Sequence, residues 1–397
     1  MTTFNAGISR RGFGRLVAQA GILAGPASSL LAAPRNSQQS GPQAGLAEDS
    51  RIVRSASPQN LEADFASLDS YITPIAKHYV RNHYPVPEVD PAVWRLAIEG
   101  DVRTPLSLSL DALRALPATT RVATLECAGN GRLSMTPKVS GVQWASGGVS
   151  TAEWTGVRLD ILLEQAGVTN DAAQVIADGL DEGPVSSTPK PAGAISFHRS
   201  LSVQEIAARG ALVAYAMNGE TLPPAHGFPV RLVVPGAYGM AAVKWLRRFV
   251  VTDGPFDGYW QTTDYAYWDR SGTLPEQRPL LGMQVKSLIA RPTAEGVVAR
   301  ASSVDVTGFA WSEGSITGVD VSTDGGVTWA AASFLDDARP GVWRRWTSAW
   351  QTPSAPGAVT LMSRATDSLG RVQPMARNAD FGGYVIHHVV PVALQVR

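Results

Sequence analysis

The residues best suited to chemistry in this 397-residue chain centre on its single cysteine, in the run Leu125-Glu126-Cys127-Ala128-Gly129-Asn130-Gly131-Arg132. A lone thiol makes no intramolecular disulfide. It is either a small buried apolar side chain or a reactive or metal-binding group. Cys127 closes a β-like run, 121–125, and opens a loop of little bulk, with Arg132 close behind it. That setting suits a soft metal ligand beside an anion site.

Four further segments carry candidate groups. Tyr79-Val80-Arg81-Asn82-His83-Tyr84-Pro85 offers the planar donor fork of Arg81 for an oxyanion, and Asn82 and His83 for a ring or a phosphate. Its structural alternative is a polar turn before a proline. His226-Gly227-Phe228-Pro229-Val230-Arg231 holds His226 and Arg231, residues that taken alone are more often structural. In 236–245, Gly239 lets backbone approach a ligand and Lys244 is a compact charge for a phosphate. Gln261-Thr262-Thr263-Asp264-Tyr265 ends in a hydroxyl able to hydrogen-bond an oxygen ligand of a metal, whereas Tyr267 and Trp268 read equally well as packing residues.

The run Glu126-Cys127-Ala128-Gly129-Asn130-Gly131-Arg132 resembles the molybdenum-ligating cysteine motif of the sulfite oxidase family. The similarity continues through Gly141-Val142-Gln143-Trp144 and 148–157, and extends from about Tyr79 to the C-terminal strands. The resemblance implies a molybdenum-molybdopterin cofactor with Cys127 as the metal ligand. It implies that Asn82, His83, His226, Arg231, Gly239 and Lys244 bind the pterin and its phosphate. Arg81 and Arg132 become the substrate arginines, and Tyr265 the tyrosine that assists proton movement. The implied reaction is oxidation of sulfite to sulfate by oxygen-atom transfer. With only signal-like and linker-like sequence before residue 61, the resemblance implies a separate c-type cytochrome as the electron acceptor. One departure stands out. A further substrate arginine of the family falls at Gly382, with Arg377 nearby but out of register. This leaves open a same-fold molybdoenzyme for another oxyanion or an S-oxide. The residues before Phe197 also follow the family poorly, so His198-Arg199-Ser200 receives no role.

Composition narrows the alternatives. With 34 Lys plus Arg against 34 Asp plus Glu there is no basic excess of the kind nucleic-acid binding shows. The six histidines lack zinc-ligand spacing, and adjacent His387 and His388 would point to opposite faces of a strand. No G-x-G-x-x-G stands between a strand and a helix.

The elements that must position these groups read as α+β. Strand signals fall at 94–100, 211–217 and 230–235. Short helices fall at 109–116, with a Ser109 start, and at 158–166, with Gly167 as the stop. After residue 278 the texture turns all-β. Strands are expected at 304–311, 316–322 and 359–365, with a hairpin turn at Asp324-Gly325-Gly326 and the next strand resuming at 327–329. This reads as an immunoglobulin-like sandwich. The expected layout is an export signal at 1–33, a flexible linker at 34–60, a catalytic domain at 61–278 and a sandwich at 279–397; the resemblance implies that the catalytic domain binds molybdopterin and that the sandwich serves dimerisation, in a homodimer. Ser9-Arg10-Arg11-Gly12-Phe13 followed by a mild apolar stretch resembles a twin-arginine signal, implying a periplasmic protein exported already folded. That stretch is too short and glycine-rich for a membrane span.

Overall fold

Two sheets, one antiparallel and one mixed, are written by short apolar runs and build the frame of the site. The computed structural model describes residues 50–168 and 174–397, so the expected export signal and most of the expected linker lie outside the described residues. In the first sheet, Glu220–Thr221, Leu212–Met217, Val149–Arg158 and Thr119–Glu126 lie side by side, and Arg231–Val233 also pairs with Leu212–Met217. All its pairings are antiparallel. The second sheet runs Leu106–Leu108, Leu96–Gly100, Leu246–Thr252, Gln174–Pro184, Ala194–Ser202. Its one parallel pair joins Leu96–Gly100 to Leu246–Thr252.

Helices α1 (Leu110–Arg114) and α2 (Leu159–Ala166) fall where the pattern predicts. Ser109 Oγ accepts the Ala112 N–H at 3.1 Å, capping α1. On α2, Leu159, Leu162, Leu163 and Ala166 are buried, and Gly167 ends it at φ 67°. Helix α3 (Val203–Arg209) is an addition to the expected elements. Its signal was the capping box of Ser202 and Glu205: the Glu205 N–H donates to Ser202 Oγ at 3.1 Å, and Glu205 Oε2 accepts the Ser202 N–H at 2.9 Å. Ser202→Ala is expected to destabilise the fold by about 1 kcal/mol. A urea titration reads this as a lower midpoint at unchanged slope, and an unchanged midpoint would refute it.

The expected linker 34–60 needs correction at its C-terminal end. Ile52–Ala56 is a strand, paired antiparallel with Gln59–Glu62. The linker-like composition before it masked a short Ile-Val-Arg-Ser run, which pairs because the turn at Ser57-Pro58 returns the chain onto itself. Glu62 fastens this hairpin by accepting the Gly147 N–H at 2.7 Å and a contact from Arg54.

Beyond Leu280 the chain forms two facing sheets. One runs Lys286–Arg291, Ser303–Trp311, Arg344–Gln351, Ser333–Phe334; the other runs Val297–Val298, Val392–Val396, Gly357–Asp367, Ile316–Ser322, Ala330–Ala331. Val306, Val319, Val321, Trp346, Leu361 and Leu394 fill the space between them. A second correction lies here. Residues 327–329 do not resume the strand, which restarts at Ala330–Ala331. The Asp324 carboxylate captures the N–H groups of Val327 and Thr328, at 3.0 and 2.9 Å, so those groups serve the turn instead of the ladder.

The strand Ser303–Trp311 is buried on both faces. Val306 and Ala310 face the sandwich interior, while Phe309 and Trp311 join the core of the preceding sheets. Trp144, Trp154, Trp245, Trp311, Trp343 and Trp346 are fully buried, as expected for large apolar bodies with one polar handle. The sandwich and the sheets before it thus share one continuous apolar body.

Candidate active site

Cys127 follows directly on the strand Thr119–Glu126, whose last residue pairs with Val149. Its N–H donates to Gly148 O at 2.8 Å, and its carbonyl accepts the Asn130 N–H at 2.8 Å, so both sides of the residue are fixed. The glycines after it are there for space. A Cβ on Gly129 would lie 2.5 Å from the Arg132 guanidinium, and one on Gly141 would meet the same group at 2.5 Å. Arg132 folds back under the loop, donating Nε to Gly383 O at 3.0 Å and Nη1 to Val142 O at 3.0 Å, with its guanidinium 5.2 Å from the Tyr384 ring.

Arg81, Asn82 and His83 come from the other side, and the N-terminal hairpin places them. Val80 bridges Leu61, and Asn60 Oδ1 accepts the Asn82 N–H at 3.0 Å and Arg81 Nη1 at 3.4 Å. His83 stacks on Phe197 at 4.4 Å, and its Nε2 shares a 2.7 Å hydrogen bond with the Tyr265 hydroxyl. Tyr265 sits at the end of a π-type turn, Trp260–Asp264. Its ring lies 5.0 Å from Tyr384, whose hydroxyl donates to Asp264 at 2.7 Å.

Cys127, Arg81, Asn82, His83, Arg132 and Tyr265 all line one funnel of about 690 Å³. Its outer wall carries Ser186, Ser187 and Thr188. Arg81 and His83 are shared with a narrow inner cavity, which His226, Arg231, Gly239 and Lys244 also line. The funnel is of the size that holds a small organic ligand. The structure therefore brings every candidate from the sequence into two adjoining cavities.

The inner cavity is built to receive an anion. Arg231 donates to His226 O at 3.0 Å and Ala242 O at 3.1 Å, with its guanidinium 4.9 Å from the Trp154 ring. Lys244 Nζ bonds Ala225 O at 2.9 Å and Asn82 Oδ1, and lies 4.1 Å from the Trp245 ring. Gly227, at φ 111°, lets these two cations converge: a Cβ there would meet Arg231 Cβ at 3.0 Å and Lys244 Cβ at 3.2 Å. Burial lowers Arg231 to about 10, and burial with the neighbouring Arg231 charge holds Lys244 well below its usual range. Burial opposes the charge of Arg81 too, but the acidic groups of Tyr265, Cys127, Tyr384 and Asp264 outweigh it and raise its pKa. Asp181 lines the same cavity as Lys244, but burial pushes its own carboxyl up to about 7, so grouping such cations away from water stays costly without a further anion.

Among the described residues, four polar atoms on the cavity walls lack a hydrogen-bond partner: the acceptors His78 Nε2 and Asp181 Oδ1, the donor Asn82 Nδ2 and the Tyr84 hydroxyl. His78 Nδ1 faces Tyr79 O at 3.0 Å, so Nδ1 carries the proton and Nε2 is the open acceptor. A Cβ on Gly239 would meet the Tyr79 hydroxyl at 2.7 Å, so the backbone there forms a close wall. These features fit a heterocycle that both donates and accepts hydrogen bonds and carries a phosphate.

His78, Asp181, Phe197, Trp260 and Tyr384 line the cavities without having been singled out as site residues. Only Tyr384 had a signal, through its place in the segment around Gly382. Gly382 itself is exposed, at φ 55°, and a Cβ there would meet nothing within 4 Å. The funnel wall is Tyr384 instead. Arg377 and His198 line neither cavity. Arg199 donates to Trp260 O and, at 2.7 Å, to Leu280 O, bracing the backbone on both sides of Tyr265.

Burial keeps the site histidines neutral. It pushes His78 down to about 3, and His83 and His226 well below the usual value. Their folded-state pKa values are depressed, so the stability they allow is present above about pH 6.5 and is lost as pH falls, when the unfolded chain takes up protons the folded one refuses. The thermal midpoint at fixed cofactor loading is expected to drop from pH 7 to pH 5. In His78→Gln the pH dependence of stability should be shallower by up to about 1.4 kcal/mol per pH unit. Equal slopes in variant and parent would refute this.

The chain is similar to known proteins over most of its length. A family model described as oxidoreductase molybdopterin binding domain matches residues 83–260, and one described as Mo-co oxidoreductase dimerisation domain matches 277–392. The sulfite oxidase of Gallus gallus is 38% identical over 347 residues, covering 81% of this chain and 72% of that protein. The mitochondrial sulfite oxidase of Mus musculus is 35% identical over 340 residues, and there the chain spans 61% of the relative's length and 81% of its own. The sulfane dehydrogenase SoxCD from Paracoccus pantotrophus has a solved structure similar to this one at a TM-score of 0.75 and 28% identity, covering 89% of this chain and 92% of that one.

Proposed function

The chain belongs to the sulfite oxidase family of molybdopterin-binding oxidoreductases, and we propose that it oxidises sulfite to sulfate at a molybdenum ion held by Cys127. The observation that carries this reading is the meeting of Cys127, Arg81 and Tyr265 in one funnel that opens onto a cationic inner cavity.

Cys127, the only thiol, is the protein's soft ligand for the metal. Asn82, His83, His226, Arg231, Gly239 and Lys244 hold the pterin and its phosphate: Arg231 and Lys244 supply the charge, and Gly239 and the unpartnered polar atoms supply the fit. When bound, the molybdenum-molybdopterin group supplies oxygen-atom transfer and takes up two electrons. Arg81 and Arg132 draw the sulfite dianion into the funnel and hold it. Tyr265, bonded to neutral His83, relays protons through its hydroxyl. Sulfite and water become sulfate, two protons and two electrons, and the electrons leave singly to an external c-type cytochrome.

The same reading places a catalytic domain before residue 278 and a dimerising sandwich after it, in a homodimer. Separate sheet systems on the two sides of that point support the division. The paired arginines at Arg10 and Arg11 support twin-arginine export to the periplasm. No described helix is long and apolar enough to cross a membrane.

A second reading has its own observation. With Gly382 exposed and Tyr384 on the funnel wall, the pocket carries less positive charge than a three-arginine site, and its hydroxyl-lined mouth is roomy. That favours another oxyanion or an S-oxide as substrate. Steady-state assays of the molybdenum-loaded protein separate the two. Sulfite-dependent reduction of cytochrome c supports the first. Turnover of an S-oxide or oxyanion with a reduced dye, and none with sulfite, supports the second.

A further inference from the structure

We infer that Lys286 and Trp311 are positioning residues for Cys127, through which the C-terminal sandwich sets the geometry of the metal ligand. This rests on the reading of Cys127 as that ligand.

The two residues are cross-strand neighbours, Lys286 opening the strand Lys286–Arg291 and Trp311 closing the strand Ser303–Trp311. Both side chains leave the sandwich and converge on Glu126, the residue immediately before Cys127. Lys286 Nζ donates to Glu126 Oε1 at 2.9 Å and to Asn130 O at 3.2 Å. Trp311 Nε1 donates to Glu126 Oε2 at 2.8 Å. Asn130 Nδ2 adds a third donor to the carboxylate at 3.1 Å, and Asn130 Oδ1 accepts the Gly148 N–H at 3.0 Å. Lys286, Glu126, Asn130 and Trp311 are each at most 2% exposed.

The network brackets Cys127 on every backbone side. Glu126 is pinned before it and Asn130 after it. Its own N–H and C=O are taken by Gly148 and Asn130, members of the same cluster. With the backbone held, the side-chain torsion is the main freedom left to the thiol sulfur. A buried ion pair is a poor stabiliser beside well-packed apolar residues of the same volume. Its use next to the one cysteine is better explained by geometry, since the partners behind a metal ligand commonly set its orientation.

The test uses full-length holoenzyme carrying Trp311→Phe, Lys286→Met, or Lys286→Met with Glu126→Gln, the last leaving no bare buried charge. Molybdenum retention after gel filtration and the electron paramagnetic resonance g-values of partly reduced enzyme are compared with the parent. Cys127 labelling by a thiol reagent is timed on metal-free protein, where the lone cysteine makes the signal unambiguous. The variants are expected to fold, to hold molybdenum about 10–100-fold more weakly, to show shifted g-values and to label at an altered rate. Parent-like retention, g-values and labelling in the double variant would overturn the inference. So would loss of the fold in all three variants, which would assign the network to stability alone. If the parent itself binds no molybdenum, the functional reading fails, and the labelling rates still decide whether the network positions Cys127.

Discussion

Cys127→Ser is expected to strip molybdenum from the protein and to lower sulfite turnover by on the order of 10³-fold or more, about 4 kcal/mol of barrier. The substitution replaces a soft thiolate with a hard hydroxyl that stays protonated at neutral pH. No second cysteine exists to take its place. The loop itself should survive, because its hydrogen bonds run through the backbone of Cys127 and the side chain of Asn130. Metal analysis beside a turnover assay checks this. A variant that keeps its metal and most of its rate would remove Cys127 from the account.

Arg81→Gln should lower kcat/KM for sulfite by about 10²-fold or more, mostly through KM, as expected when a charged partner of a desolvated anion is lost. Arg81 is the arginine to test because Arg132 already gives Nε and Nη1 to Gly383 and Val142, so removing it would also loosen the loops around Cys127. Arg81 lies at the junction of the two cavities, and its charge is favoured by the acidic groups around it. Its contribution should therefore stay constant across the working pH range. A kinetic titration with sulfite decides the matter, and an unchanged KM would contradict the placement of the anion.

What the sequence made legible follows from how locally each feature is encoded. The Cys127 loop could be read because its chemistry, its glycines and its returning arginine occupy eight consecutive residues. Helix α2 could be read because four apolar residues and a stop glycine fall at helical spacing. The walls of the inner cavity were less accessible. His78, Asp181 and Phe197 lie in segments whose patterns speak only of strands and turns, and they meet because two sheets pack. The hairpin at Ile52–Glu62 was hidden by polar, small-residue composition, yet its Asn60 orients both Arg81 and Asn82. Lys286 carries no signal of its own in the sequence. Its partner Glu126 lies 160 positions away, and no local pattern carries a buried ion pair across that distance. The Gly382 departure was visible, but its consequence was not: the space the loop leaves is walled by Tyr384, tied to Asp264.

The most direct measurement is a single turnover without any electron acceptor. Oxidised, molybdenum-loaded protein is mixed anaerobically with sulfite, and the metal's absorption is followed against sulfate formed. The account predicts reduction at a rate that saturates with sulfite, one sulfate per molybdenum, and no change in Cys127→Ser. A fully loaded protein that neither changes its spectrum nor yields sulfate would contradict it.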